Sequence, residues 1–221
     1  MILYGMRPSP FVRKVLFYLE EKGIDFELRP AGLGIGGEEF AKASPFGKFP
    51  ALVDGDFSIS DSSAIVHYLE TLYPEPNLIP TEAKARARAV WFDEFADTVL
   101  FATGVKIFFN RVVAPKFMKI SGDLAAADAA ERNELPRLLD YIEGVLPDSG
   151  FLIEDRLTLA DIAVASPLIN LAYCCPPVDS ATHPRLCRWL NMLKTRPAFA
   201  SVLAEERPLI EAMATQPELV L

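Results

Sequence analysis

The fold is decided by the opening stretch ILYGMRPSPFVRKVLFYLEEKG, residues 2–23. Residues 2–5 are apolar and end in glycine, which predicts a short strand. Ser9 then stands between two prolines, and because proline is favoured at the first position of a helix, Ser9 is the expected N-cap. A helix is predicted from there to Gly23, a residue typical of helix ends. Its apolar residues recur at helical spacing: Val12, Val15, Leu16 and Leu19.

The pattern changes near residue 80. Up to that point short strand-like and helix-like segments alternate, with strands predicted at 25–29, 50–54 and 57–60 and helices at 38–43 and 61–73. Prolines at 74, 76 and 80 then predict a linker. The remainder is predicted to be all-helical, with helices at 81–119, 133–146, 158–173 and 184–194. The chain is therefore predicted to comprise an α/β domain at 1–76 and an all-α domain at 81–221.

The amino-acid composition excludes several classes of protein and argues against some kinds of partner. Apolar types make up 51% of the 221 residues, enough for a sizeable core, which excludes a disordered or fibrous chain. The 30 acidic residues exceed the 22 basic ones, giving a net charge of −8, and no long basic run is present. We therefore expect no nucleic-acid partner and no membrane partner. No apolar stretch of about 18 residues and no signal peptide is evident, so a cytoplasmic location is expected.

The cysteine and histidine content argues against disulfides, dithiol redox chemistry and a metal site. The three cysteines are odd in number, two of them are adjacent, and none forms a Cys-x-x-Cys pair. Neither a disulfide framework nor a dithiol redox motif is therefore predicted. Only His67 and His183 are present, so no metal site is expected.

Ser9 is the first candidate for chemistry. A helix N-terminus offers free N–H groups and partial positive charge, which favour an anion. A hydroxyl there could hold a ligand thiolate, whose pKa would have to fall by about two units, or roughly 2.7 kcal/mol. One hydrogen bond to sulfur plus the helix terminus is of that size. The alternative is that Ser9 only caps the helix.

Two further segments could bind the backbone and ends of a peptide. Pro50 opens a predicted strand, and a cis Phe49–Pro50 bond would expose the Phe49 backbone to an extended peptide ligand. At the next helix start, Ser62 could bind a carboxylate while Asp61 binds an ammonium, which together would recognise an amino-acid head group. The alternatives are an ordinary strand start and ordinary capping residues.

The order of these segments resembles the cytosolic glutathione transferase superfamily, and the resemblance is nearly full-length. SPFVRKV at 9–15 resembles the active-site segment of its serine-type classes, and SPFGKFPAL at 44–52 resembles the segment with the cis-proline. DSSAIVHYL at 61–69 resembles the helix start that binds the γ-glutamyl group, and 184–199 resembles the family's C-terminal stretch. The resemblance implies a thioredoxin-like N-terminal domain, an all-α C-terminal domain and a homodimer.

The resemblance also implies glutathione as cosubstrate and a role for each matching residue. Ser9 would stabilise the thiolate, and Phe11 would line the pocket for a small hydrophobic electrophile. The other matching residues would bind glutathione: Lys48 at the glycyl carboxylate, the Phe49 backbone with cis Pro50 at the cysteinyl part, and Asp61 with Ser62 at the γ-glutamyl end. Phe49 replaces a smaller valine of the family, and Asp61 replaces a longer glutamate or glutamine.

The implied activity is attack by glutathione thiolate on an electrophile or on an organic hydroperoxide, a detoxifying chemistry. Ser9 stands where disulfide-reducing classes carry cysteine, so thiol transfer is disfavoured. Tyr4 is a rival for the catalytic hydroxyl, because other classes use a tyrosine near the end of the first strand. The alternatives are a non-catalytic glutathione-binding or interaction module and a specialised lyase.

One motif predicts stability and not chemistry. LTLADIA at 157–163 resembles the capping box of the family's helical domain. Thr158 would cap the helix, Asp161 would occupy its third position, and Leu157 would pack on Ile162 as a hydrophobic staple.

Overall fold

A computed structural model describes residues 1–214, in which a small mixed sheet is followed by helices. The strands are β1 (Ile2–Tyr4), β2 (Glu27–Arg29), β3 (Ala51–Asp54) and β4 (Phe57–Ser60), in the order β2-β1-β3-β4. β1 is parallel to β2 and antiparallel to β3, so that Leu3 lies opposite both Leu28 and Leu52. The three helices among these strands are α1 (Pro10–Glu21), α2 (Gly37–Ala43) and α3 (Ser62–Leu72).

The helix α1 forms as its sequence predicts. Ser9 is its N-cap, and Val12, Val15, Leu16 and Leu19 are fully buried. Gly23 follows the helix with φ of 62°, a left-handed conformation that glycine adopts without steric cost.

The helical part contains a long continuous helix at 83–118. It comprises α4 (Ala83–Glu94), a first π-helical segment (Phe95–Leu100), α5 (Phe101–Phe108) and a second π-helical segment (Phe109–Met118). Within the described residues it is the one helix long and apolar enough to cross a membrane by length and composition. The sequence analysis looked for uninterrupted apolar runs and therefore did not identify this helix, whose apolar residues are interspersed with polar ones. The core helix of a soluble protein meets the same criteria, and this helix packs against the later helix Leu159–Ala172.

The remaining helices are α6 (Leu124–Asn133), α7 (Leu135–Val145), α8 (Leu159–Ala172), α9 (Pro184–Thr195) and α10 (Pro197–Ala214). The predicted α7, α8 and α9 are confirmed, whereas α6 and α10 were not predicted. α8 is the central helix, because every residue from Leu159 to Leu171 is buried and α1 and α4 both pack on it. The predicted architecture, an α/β part followed by an all-α part, is thus confirmed. The domain boundaries 1–76 and 81–221 stay a prediction. Residues 215–221 lie outside the described part.

The predicted capping box of α8 is present. The Asp161 carboxylate accepts hydrogen bonds from the Thr158 backbone N–H at 3.0 Å and from the Thr158 hydroxyl at 3.2 Å. Its other oxygen accepts from the Leu152 N–H at 2.9 Å and the Trp189 indole at 3.0 Å. This carboxylate therefore connects the start of α8 to the preceding loop and to α9.

Candidate active site

A cavity of about 780 Å³ lies between the sheet domain and the long helix. All seven residues singled out by the sequence line it: Ser9, Phe11, Lys48, Phe49, Pro50, Asp61 and Ser62. The opposite wall comes from the long helix, between Asp97 and Phe117, and from Pro167 and Asn170 of α8. Residues that are distant in the chain are thus brought together at the N-terminus of α1.

Ser9 sits at the N-terminus of α1 with its hydroxyl only weakly used by the helix. The Val12 N–H reaches the Ser9 Oγ at 3.4 Å, which is long for a hydrogen bond. The backbone is fixed more firmly, because the Ser9 N–H donates to the Met6 carbonyl at 3.0 Å and its carbonyl accepts from the Arg13 N–H at 2.9 Å. A fixed backbone with a loosely held hydroxyl leaves that hydroxyl able to donate to a bound anion.

The rival hydroxyl of Tyr4 is directed elsewhere. Tyr4 is buried and does not line the cavity. Its hydroxyl donates to the Glu39 carboxylate and accepts from the Arg29 guanidinium at 3.2 Å. Burial, together with the bond to Glu39, raises the pKa of Tyr4 above its ordinary value. This placement favours Ser9 over Tyr4 as the hydroxyl available to a ligand.

The segment around Lys48 is a tight turn that leads into β3. The Ser44 hydroxyl donates to the Lys48 carbonyl at 2.5 Å, and the Phe49–Pro50 bond is cis, as predicted. The large Phe49 ring is accommodated because Gly32 has no side chain. A Cβ at Gly32 would lie 2.1 Å from the ring, and the backbone there has φ of 106°, which disfavours other residues.

Asp61 and Ser62 form the start of α3, where they both cap the helix and face the cavity. The Asp61 carboxylate accepts from the Ala64 N–H at 3.0 Å, so its predicted capping role is confirmed. Its backbone has φ of 91°, an uncommon value for a residue other than glycine, and strained backbone of this kind clusters at functional sites. Ser62 is buried beside it at the first position of the helix.

A second carboxylate near this helix start, Asp97, was missed by sequence reasoning. The buried Lys14 ammonium lies 2.7 Å from carboxylate oxygens of both Asp93 and Asp97, and Ser63 bonds to it at 3.1 Å. One cation faces two carboxylates, so the group carries excess negative charge when both are ionised. Asp97, which lines the cavity, is the more exposed of the two, and burial raises its pKa above the ordinary value.

The far side of the cavity is apolar and was only partly predicted. The Phe11 ring packs against the Phe101 ring with centroids 4.5 Å apart. The long helix contributes further apolar lining residues: Val105, Phe108, Phe109, Val113 and Phe117. The cavity therefore combines an aromatic wall with polar groups of the sheet domain, namely Ser9, Lys48 and Asp61. The Asp97 carboxylate comes from the long helix.

Comparison with known proteins assigns the family. The family model for the glutathione S-transferase N-terminal domain matches residues 3–77, and that for the C-terminal domain matches residues 105–197. Glutathione S-transferase 3 of Zea mays is 33% identical over 210 residues, covering 91% of this chain and 92% of that protein. The chain belongs to the glutathione S-transferase family.

Solved glutathione S-transferase structures agree with this assignment. That from Rhodospirillum rubrum F11 has a TM-score of 0.80 at 31% identity, covering 91% of each chain. A glutathione transferase homolog from Drosophila mojavensis, solved with bound glutathione, has a TM-score of 0.82 at 27% identity, covering 98% of this chain and 97% of that one. The transferase class and the fold class predicted from the sequence are confirmed.

Proposed function

We propose that this glutathione S-transferase binds glutathione as a thiolate at Ser9 and transfers it to a small hydrophobic electrophile. The observation that carries the proposal is the position of Ser9, at a helix N-terminus between a polar wall and an aromatic wall of the same cavity. The helix terminus and the hydroxyl would both favour the anionic form of a sulfur placed there. The enzyme would then supply a thiolate and proximity, with no covalent intermediate.

The polar wall supports a role for each remaining predicted residue. Lys48 would attract the glycyl carboxylate, and the Phe49 backbone, before cis Pro50, would pair with the cysteinyl part. Ser62 would bind the γ-glutamyl carboxylate at the α3 N-terminus. The γ-glutamyl ammonium would be held by Asp61, with Asp97 as a second carboxylate beside it. Two carboxylates offset the short reach of Asp61.

The apolar wall supports the choice of a hydrophobic electrophile, with Phe11 as a lining residue. The same thiolate could reduce an organic hydroperoxide, and a panel of aryl halides, activated alkenes and hydroperoxides would separate the two activities. A detoxifying role and a cytoplasmic location remain parts of this proposal. No group of three or more metal-ligating side chains is found within residues 1–214, and the proposed chemistry uses none.

A Ser9→Ala variant tests the proposal directly. We expect kcat/KM to fall more than about tenfold, because a thiolate whose pKa rises by one unit loses about a tenfold population near neutrality. The ultraviolet thiolate band of bound glutathione should also move to higher pH. Tyr4→Phe and Ser58→Ala, an exposed serine in β4, are the controls and should keep both properties. Unchanged turnover in Ser9→Ala would remove Ser9 from the mechanism, and glutathione binding without any turnover would favour a non-catalytic module.

We further propose a homodimer, supported by exposed aromatic side chains that a monomer leaves in water. The Phe46 side chain is 90% exposed in the loop before β3, and Trp91 of α4 is 49% exposed. Exposed apolar groups that form a continuous patch are typical of interaction surfaces. Sedimentation velocity should show a dimer that shifts towards monomer in Phe46→Ser. A monomeric wild-type protein would contradict this part of the proposal.

A further inference from the structure

Two adjacent cysteines, Cys174 and Cys175, lie just after α8 and do not line the cavity. Their backbone N–H groups both donate to the Leu171 carbonyl, at 3.0 and 2.8 Å, and two prolines follow. Both side chains are half-buried. The two thiols are therefore held by a hydrogen-bonded helix end at which solvent still has access.

The guanidinium of Arg111 is fixed against this pair. Its Nη1 donates to the Cys174 carbonyl at 2.9 Å and lies 3.7 Å from the Cys175 sulfur. Its Nη2 bonds to Asp128 at 2.7 Å and to Glu131, both on α6. Because the bond to the carbonyl sets the orientation of the guanidinium, one N–H side faces the Cys175 sulfur while the two carboxylates occupy the other side. A cation in this position favours a thiolate over a thiol.

The charged groups around Cys175 act in opposite directions. The adjacent Cys174 side chain and the Arg111 guanidinium lower the pKa of Cys175, whereas burial and the Glu131 carboxylate raise it. The net result is a pKa for Cys175 below the ordinary thiol value. The Cys174 and Arg111 side chains thus outweigh burial and leave Cys175 as a thiol that ionises readily.

The other two cysteines provide internal comparisons. The Cys174 thiol donates to the Asn170 carbonyl at 3.6 Å, and its pKa is raised by the adjacent Cys175 and by burial. The Cys187 thiol donates to the Val178 carbonyl at 3.4 Å, and its pKa is raised by burial and by the Glu143 and Asp179 carboxylates. Of the three, only Cys175 has a guanidinium that donates to its sulfur within the described residues.

We propose that Cys175 is a modification site at which the thiolate reacts with small neutral oxidants of the hydroperoxide class. The sulfur attacks the terminal oxygen of the hydroperoxide, an S–O bond forms and the O–O bond breaks. The alkoxide leaves and takes a proton from water, so the thiol is oxidised to a sulfenic acid and the hydroperoxide is reduced to an alcohol. Neutral oxidants are favoured because Asp128 and Glu131 disfavour the approach of anions. The reaction needs neither Ser9 nor glutathione, so it stands or falls independently of the proposed function.

The test is site-resolved labelling of the full chain. One sample is treated with limiting tert-butyl hydroperoxide in the presence of dimedone, which traps sulfenic acids. A second sample is treated with iodoacetamide at neutral pH. The modified peptides of both samples are mapped by mass spectrometry. We expect Cys175 to react at least about tenfold faster than Cys187, since a difference of one pKa unit changes the thiolate fraction about tenfold. Equal rates at the two cysteines would overturn the proposal.

Two variants test whether Arg111 and Cys174 cause the reactivity of Cys175. Arg111→Gln removes the cation, and Cys174→Ala removes the neighbouring thiol with little change in volume. Each should slow labelling of Cys175 severalfold and move its pH midpoint upward, with no change at Cys187. Because Arg111→Gln also loosens α6, the folded fraction is checked by circular dichroism, and Cys174→Ala serves if that variant does not fold. Labelling of Cys175 that is unaffected in a folded variant of either kind would contradict the proposal.

Discussion

The Asn170 side-chain amide donates a hydrogen bond of 2.8 Å to the backbone carbonyl of Pro8. Pro8 immediately precedes Ser9, so a residue of the helical domain holds the peptide that positions the proposed catalytic hydroxyl. Asn170 is itself buried, and its side-chain oxygen accepts a hydrogen bond from the Arg13 guanidinium. Both the nitrogen and the oxygen of the Asn170 side-chain amide are thus hydrogen-bonded, so the amide is held in one orientation.

Arg13 anchors this connection. It is fully buried in α1, donates to the Ser166 carbonyl of α8 at 2.7 Å, and pairs through its Nε with Glu206 of α10 at 2.9 Å. A buried ion pair contributes little net stability on average, but removing one partner is costly. The arrangement therefore fixes the relative positions of α1, α8 and α10 around the loop that carries Ser9.

Replacing Asn170 should lower turnover through its effect on the position of Ser9. Asn170→Asp keeps an acceptor for Arg13 but loses the donor to Pro8, and we expect kcat to fall severalfold. Asn170→Ala loses both bonds and should also cost about 1–3 kcal/mol of unfolding free energy. Steady-state kinetics and denaturant unfolding separate the two effects, with the exposed Asn191→Ala as control. A wild-type kcat and thiolate pKa in a folded Asn170→Asp variant would show that this bond does not position Ser9.

The carboxylate of Asp97 should act on glutathione binding. In Asp97→Asn we expect KM for glutathione to rise about tenfold with kcat little changed, because a charge-assisted hydrogen bond of roughly 1.5 kcal/mol is lost. Because burial raises the pKa of Asp97, its attraction for an ammonium should be lost, as the pH falls, at a higher pH than for an ordinary aspartate. As the pH falls, the wild-type KM should therefore rise towards that of Asp97→Asn, which lacks this titration.

Titration calorimetry of glutathione across the acidic range measures this difference. Asp56→Asn, an exposed aspartate in the β3–β4 turn, is the control and should follow the wild type. Parallel pH profiles for the wild type and Asp97→Asn would contradict a role for Asp97 at the ammonium.

Much of the site was predictable because its residues lie in short segments with local signals. Ser9 lies between prolines, Pro50 opens a strand, and Asp61 caps a helix, so each was found from its neighbours in the chain. Asp97 and Asn170 carry no such signal. Their positions depend on how the helical domain packs on α1, a long-range arrangement that spacing and propensity do not encode.

The two helices that were not predicted have different physical causes. α6 buries only alanines, Ala127 and Ala130, so its apolar residues are too small to show a clear helical period. α10 contains Pro208 in its interior, a residue that usually ends a helix. Tertiary packing, as in the bond between Arg13 and Glu206, outweighs the local signal there. Helices with large apolar stripes, such as α1, were correctly placed.

The aromatic contact between Phe11 and Phe101 should influence which electrophiles react. Phe11→Ala removes a ring from the cavity wall, and an aromatic pair contributes about 0.5–1.5 kcal/mol beyond its buried area. We expect kcat/KM to fall about threefold to tenfold for an aryl halide, which can stack on this wall, and less for a small alkyl electrophile. The thiolate pKa should not change, since Phe11 carries no polar group. Equal losses for both electrophiles would indicate a general packing defect.

The capping box of α8 should contribute to stability and leave the chemistry unchanged. Thr158→Ala removes one hydroxyl, while the backbone N–H of residue 158 can still donate to Asp161, so we expect a loss of about 1 kcal/mol. For a chain of this length that corresponds to a fall in Tm of about 2–4 °C. Asp161→Ala should cost more, because the Leu152 N–H and the Trp189 indole lose their buried acceptor. Calorimetry on both variants ranks their losses of stability, with the exposed Thr81→Ala as control. The kcat of the folded enzyme should be unaltered in Thr158→Ala.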